Sequence, residues 1–215
     1  MFKALLGRDI AALLSRIKNG QDIDAIGSNG ASAIVLAAGI GFEDGVKTLI
    51  EHGADIDFKD RDGKTALVFA AVGNHQGCLR RLIEAGANLN IQCNDGRTAL
   101  MSAAAVNPGV IEFMVKAGAD PDLGDKFGYT AAMFALGAGN QQGVINLAMS
   151  GADLEVKNIH GFSLLDLASA PRFSPSWQNL ISGLILAARE KEEIREHIGA
   201  ECLADSAGSD AAKRL

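Results

Sequence analysis

The stretch that decides the fold is D-R-D-G-K-T-A-L-V-F-A-A-V-G-N-H-Q-G-C-L-R-R-L-I-E-A-G-A-N-L-N, residues 60–90. Residues 60–63 are typical of a turn, and the Thr65 hydroxyl is placed to cap a short apolar helix. A second helix follows, with apolar residues on one face at Leu79, Leu82 and Ile83. Gly86 ends it, because glycine adopts the left-handed conformation without strain. Two such helices cannot bury their own apolar faces, so the unit requires neighbours.

The chain contains further copies of this unit. The helix-ending glycine recurs with spacings of 33, 33, 32 and 33 residues, at Gly20, Gly53, Gly86, Gly118 and Gly151. The turn glycine recurs in step, at Gly30, Gly63, Gly96, Gly128 and Gly161. Two independent markers with one period predict an all-α solenoid of stacked helical repeats.

The period predicts the organisation of the whole chain. We expect an N-terminal cap at residues 1–24, consisting of one helix and a turn without a complete first helix. Repeats follow over residues 25–170, with Ser32, Thr130 and Ser163 as further helix caps. A C-terminal capping helix is expected within residues 171–202, and residues 203–215 are small and polar, as in disordered tails.

Composition and charge argue against several classes of function. The 215 residues carry a formal net charge of −6, and no basic stripe of the kind that binds nucleic acid is present. No apolar stretch is long enough to span a membrane, and the N-terminus lacks the pattern of a secretory signal. The three cysteines include no C-x-x-C pair, which favours a reducing, cytoplasmic compartment.

The repeats resemble ankyrin repeats. The pattern D-x-x-G, T-P-L-H-x-A-A and L-L-x-x-G-A-D-x-N is matched by D-R-D-G-K-T-A-L-V-F-A-A and R-L-I-E-A-G-A-N-L-N, and again in the third and fourth repeats. The resemblance covers about residues 20–168 and implies turn-and-hairpin loops between the helices. Where the family has histidine, this chain has Val68, Met101 and Met133, so we expect looser turns or apolar compensation.

The resemblance implies a non-catalytic scaffold that binds a protein in a concave groove lined by turn tips and inner helices. The groove positions of the second and third repeats are charged: Arg61, Asp62, Lys64, Asp95 and Arg97. The groove positions of the fourth and fifth repeats include a cluster of apolar and aromatic residues: Phe127, Tyr129, Ile159 and Phe162. We expect Phe127, Tyr129 and Phe162 to anchor the partner, because aromatic side chains dominate binding at interfaces. The alternative is that Phe127, Ile159 and Phe162 fold beneath the C-terminal cap.

Signatures of catalysis are few. The sequence has no H-E-x-x-H pair, G-x-S-x-G elbow or phosphate-binding glycine loop, so we predict no catalytic residue, metal or cofactor. His52 and His75 are expected to be solvated at repeat turns, and Cys78 to be packed in the core.

The prediction is a cytoplasmic adaptor, inhibitor or immunity-type partner that is a monomer by itself. One alternative is a secreted effector that binds a host protein, since residues 190–196 are rich in glutamate. A second alternative is an enzyme with an unrecognised site near the C-terminal cap.

Overall fold

The computed structural model describes residues 1–27 and 30–191, and this part of the chain contains helices and turns but no β-strand. The inner helices are α1 (Phe2–Leu6), α3 (Ala33–Gly39), α5 (Ala66–Val72), α7 (Ala99–Val106), α9 (Ala131–Gly137) and α11 (Leu164–Ala168). The outer helices are α2 (Ile10–Lys18), α4 (Glu43–Glu51), α6 (Gln76–Glu84), α8 (Ile111–Lys116) and α10 (Gln141–Met149), and α12 covers residues 175–191. The predicted all-α solenoid is confirmed.

Stacking of the inner helices builds the core. Each inner helix from α3 to α11 packs against its inner neighbours, and α4 packs against α6 in the outer layer. The inner helices carry alanines with no exposed surface, among them Ala37, Ala70, Ala103 and Ala135. Small side chains let the helices approach closely, while leucines such as Leu49 and Leu82 fill the space towards the outer layer.

The expected helix ends and one repeat deletion are seen directly. Gly86 has a φ of +87°, the left-handed conformation that ends α6. In the third repeat, which is one residue shorter, a 3-10 turn at Pro108–Val110 precedes the six-residue α8. The deletion therefore shortens the outer helix and leaves the inner stack intact.

The N-terminal prediction was wrong in one respect. The first 24 residues contain two helices, because α1 forms a short inner helix and packs on both α2 and α3. Leu5 of α1 is fully buried, as is Leu13 of α2. Burial against α3 stabilises a five-residue helix that would not persist alone.

The predicted capping hydroxyls behave unequally. Ser32, Thr65 and Thr130 occupy N-cap positions, but their side chains make no capping hydrogen bond. Their predicted cap positions are correct, but the expected hydroxyl hydrogen bond is missing, and all three residues are instead buried in the stack. Ser163 does cap α11: its hydroxyl donates to Asp166 Oδ2 at 2.7 Å and accepts from the Asp166 N–H at 3.3 Å.

Apolar side chains replace the family's histidine. Val68, Met101 and Met133 are all buried, which confirms apolar compensation. His75, which was expected to be solvated, is partly exposed, and its Nε2 lies 3.1 Å from the Gly39 carbonyl of the preceding repeat. The ring therefore joins two repeats.

A ladder of acidic and amide side chains also joins the repeats. At each rung, a side-chain oxygen accepts a backbone N–H from the next repeat at 2.8–3.0 Å, in the pairs Asp24–Asp55, Asp57–Asn88, Asn90–Asp120 and Asp122–Asp153. We call this row the repeat ladder. The next ladder position is Glu155, whose carboxylate is bound by Arg189 of α12 at 3.1 and 2.5 Å.

The C-terminal cap is formed by α12. Trp177 and Ile181 are buried, and Phe173 meets the Trp177 ring edge-on with centroids 6.1 Å apart. The rest of the segment predicted to hold the capping helix, residues 192–202, and the predicted tail at residues 203–215 lie outside the described residues.

Candidate functional site

The turn tips are held rigidly by short polar side chains. Asp125 Oδ1 accepts the backbone N–H groups of Phe127 and Tyr129, both at 2.9 Å. Asn158 Oδ1 does the same for His160 and Phe162, at 3.0 and 3.1 Å. Each tip is therefore fixed before a partner arrives.

Successive tips are also bonded to one another. The Asn94 N–H donates to the Asp62 carbonyl at 2.8 Å, Lys126 to Asp95 at 3.2 Å, and Ile159 to Phe127 at 3.1 Å. These bonds align the tips beside the inner helices. We call the surface made by the tips and the exposed side of the inner helices the groove face.

Apolar side chains stand exposed at the last two tips. Phe127 is 56% exposed, Ile159 63% and Phe162 50%. The described part of the C-terminal cap, up to residue 191, therefore does not cover them, which contradicts the alternative that they fold beneath it. Tyr129 is half-buried and meets the Phe134 ring of α9 edge-on, with centroids 6.4 Å apart. We call Phe127, Tyr129, Ile159 and Phe162 the tip patch.

The charged positions lie on the preceding tips. Lys64 and Asp62 form an ion pair at 3.2 Å, and Asp95 is exposed. The Arg61 side chain lies across Gly30, where an added Cβ would be 2.5 Å from Arg61 Cγ. Arg97 stacks its guanidinium on the Phe134 ring, with Cζ 5.0 Å from the centroid.

Sequence reasoning missed a cavity beside the tip patch. It has a volume of about 310 Å³ and is walled by Tyr129, Met133, Phe134, Leu167, Arg172 and small residues of α7 and α9. A hint was present in the Gly137-Ala138 pair, which leaves space at the end of α9. A larger depression of about 480 Å³ lies between the end of α10 and α12, and none of the predicted binding residues lines it.

Reactive groups are sparse in the described part of the chain. Burial, followed by the nearby Glu43 carboxylate, raises the pKa of the Cys78 thiol to about 11. The thiol is therefore protonated and packed, and Cys93 is likewise a free thiol. Within residues 1–27 and 30–191 no three His, Cys, Asp or Glu side chains cluster as metal ligands. No helix in these ranges has the length and hydropathy needed to cross a bilayer.

Stacked helix pairs, bonded tips and an exposed groove face define a helical-repeat protein of the kind that recognises other proteins. The family model described as ankyrin repeats in three copies matches residues 1–93 and 77–158. The chain therefore belongs to the ankyrin repeat family, whose members are in general protein–protein interaction modules. Among curated proteins, none matches the chain.

Proposed function

We propose that this chain is a non-catalytic module that binds one protein partner on its groove face, with the tip patch as the anchor. The observation that carries the proposal is the exposure of Phe127, Ile159 and Phe162, at 56%, 63% and 50%. Turn tips normally carry polar residues, because they meet water. Clustered apolar groups on a surface are typical of interaction sites.

The rigidity of the tips favours binding. Ordering flexible groups at an interface costs free energy, and a preformed surface avoids most of that cost. Here Phe127 and Phe162 extend from backbone segments already fixed by Asp125 and Asn158. A partner would meet these side chains in place, so little ordering of the backbone would oppose association.

The charged row supplies a second element of recognition. Arg61, Asp62, Lys64, Asp95 and Arg97 occupy consecutive tips that continue from the tip patch. Exposed charges contribute more to orientation and association rate than to affinity. We therefore assign the anchoring energy to the tip patch and the register of the partner to this row. Neutralising the row is expected to slow association and reduce its salt dependence.

We further propose that the module works in the cytoplasm as an adaptor, an inhibitor or an immunity-type partner. The free thiols Cys78 and Cys93 support a reducing compartment. Fractionation of the native cells provides the test, because recovery of the chain outside the cell would favour the effector alternative.

Partner capture under matched conditions tests the anchor. The wild-type chain is compared with a Phe127→Ala/Ile159→Ala/Phe162→Ala variant, which preserves Tyr129 because that ring also packs against Phe134. Phe113→Ala is the control, since Phe113 is a 38% exposed phenylalanine of the outer helix α8.

The variant and the control separate the outcomes. Loss of an aromatic anchor costs roughly 2 kcal/mol or more, so the triple variant should lose a stoichiometric partner that the control retains. Circular dichroism verifies that both chains remain folded. A partner retained by the triple variant and lost by the control would place the interface on the outer face and contradict the proposal.

A further inference from the structure

The cavity beside the tip patch exists because the fourth repeat carries the smallest side chains at the end of its inner helix. The corresponding pairs are Gly39-Ile40, Val72-Gly73 and Ala105-Val106 in the first three repeats and Gly137-Ala138 in the fourth. A Cβ added at Gly137 would meet no atom within 4 Å. The end of α9 is therefore open where the preceding repeats carry isoleucine or valine.

The walls of this cavity favour an apolar occupant. Tyr129 and Phe134 present aromatic rings to it, and Met133 and Leu167 add flexible apolar surface. Its volume of about 310 Å³ is at the lower end of the range for ligand pockets, roughly 300–1,000 Å³. One large side chain fits this space better than an extended ligand. Aromatic side chains bring the greatest apolar area for few rotatable bonds.

Two arginines lie beside the cavity and favour an occupant that carries negative charge. Arg172 is the one charged residue among its lining residues. Arg97 does not line the cavity, but its guanidinium lies over the Phe134 ring that does, with Cζ 5.0 Å from the centroid. In the described part of the chain, neither arginine has a carboxylate within ion-pair distance, whereas Lys64 is paired with Asp62. The Arg172 guanidinium also lies over an aromatic ring, that of Phe173, with Cζ 4.7 Å from the centroid. Contact with a ring face leaves the in-plane N–H groups of a guanidinium able to pair with an anion.

We infer that the cavity binds an aromatic side chain from an acidic segment of the partner protein, with a neighbouring Asp or Glu carboxylate paired to Arg172 or Arg97. Guanidinium groups bind carboxylates through two parallel hydrogen bonds, which adds geometric selectivity. The net charge of −6 opposes this attraction only weakly, since charges beyond about 10 Å are screened at physiological salt. The inference rests on the proposed function and specifies the partner's chemistry.

Defined peptides test the inference without the natural partner. The probes are acetyl-Gly-Glu-Phe-Glu-Gly-amide and its analogues with lysine in place of glutamate or alanine in place of phenylalanine. Binding is followed by NMR titration of the full-length, isotope-labelled chain. We expect the glutamate–phenylalanine peptide to bind about fivefold or more tightly than the lysine analogue, and about tenfold or more tightly than the alanine analogue. Shifts should centre on the amide signals of Tyr129, Gly137 and Leu167.

Two substitutions at matched positions locate the binding. Gly137→Leu fills the cavity from the last residue of α9. Gly39→Leu is the control, because Gly39 ends α3 in the same way and an added Cβ there would meet Phe69 at an ordinary 3.7 Å. Gly137→Leu should abolish the shifts and Gly39→Leu should preserve them. Arg172→Gln should weaken binding of the glutamate–phenylalanine peptide. It should leave unchanged the binding of a further analogue that has glutamine in place of glutamate.

Several results would overturn the inference. These are no binding of the glutamate–phenylalanine peptide, equal binding of the lysine analogue, or shifts that survive Gly137→Leu. If Gly137→Leu fails to fold, the pattern of shifts in the wild-type chain decides, and shifts away from Tyr129 and Leu167 refute the site. A captured partner that needs the tip patch but is insensitive to Gly137→Leu would refute the inference and leave the proposed function standing. Peptide binding at the cavity with no protein partner captured would support the chemistry assigned to the cavity and contradict the proposed function.

Discussion

Removing one rung of the repeat ladder should destabilise the chain measurably. Asp57 Oδ1 accepts the Asn88 N–H at 3.0 Å, and Oδ2 lies 3.4 Å from the same nitrogen. Asp57→Ala removes this bond between the first and second repeats. A hydrogen bond to a charged group contributes about 1.5–3 kcal/mol. Because Asn88 is exposed, water replaces part of the bond, so we expect a loss of about 1 kcal/mol.

Urea denaturation followed by circular dichroism measures this loss. In thermal unfolding, about 1 kcal/mol corresponds to a decrease in Tm of roughly 2–4 °C for a chain of this size. Asp57→Asn should cost much less, because an asparagine oxygen makes the equivalent bond at the next rung, from Asn90 to the Asp120 N–H at 2.9 Å. Lys59→Ala is the control for an exposed neighbour and should change stability by under about 0.5 kcal/mol.

The comparison of the two Asp57 variants is decisive. If Asp57→Asn is as destabilising as Asp57→Ala, the lost energy does not come from an acceptor bond between repeats. If Asp57→Ala changes stability no more than Lys59→Ala, the hydrogen bonds of the repeat ladder do not contribute to stability. Either result would refute the reasoning.

Three further predictions concern single side chains. Ser163→Ala removes the cap that the hydroxyl forms with Asp166, and should lower the free energy of unfolding by about 1 kcal/mol in urea titrations. Burial raises the pKa of Asp122 in the folded chain, so the charged form of this side chain opposes folding. Asp122→Asn should therefore raise the urea midpoint at neutral pH. This increase should shrink as the pH falls towards the ordinary aspartate pKa of about 4. Cys78, with its pKa raised to about 11, should be alkylated far more slowly than Cys93 when iodoacetamide labelling is quantified by peptide mass spectrometry.

The fold was predictable because its determinants are local and repeated. Gly53, Gly86 and Gly118 mark helix ends that require a left-handed residue, and their constant spacing needs no knowledge of tertiary contacts. The exposure of Phe127 and Ile159 also agrees with their positions relative to the turn glycine. Their role in binding stays a prediction until a partner is tested against the variants.

Other features depend on contacts that no local pattern encodes. The helix α1 exists because Leu5 is buried against the next repeat. The Glu155–Arg189 pair joins the last ladder position to the C-terminal capping helix α12 and takes the place of a ladder rung. The cavity at Gly137 is formed by three helices together, so the two small residues in the sequence could not by themselves predict its walls or volume.

Site-specific photocrosslinking in the native cell is the most direct test of a partner on the groove face. Benzoylphenylalanine is incorporated in place of Phe127, of Phe162 or, as the outer-face control, of Phe113. The proposal predicts one protein adduct of the same mass from Phe127 and Phe162, and none from Phe113. An adduct formed at Phe113 while both tip positions stay unlinked would contradict it.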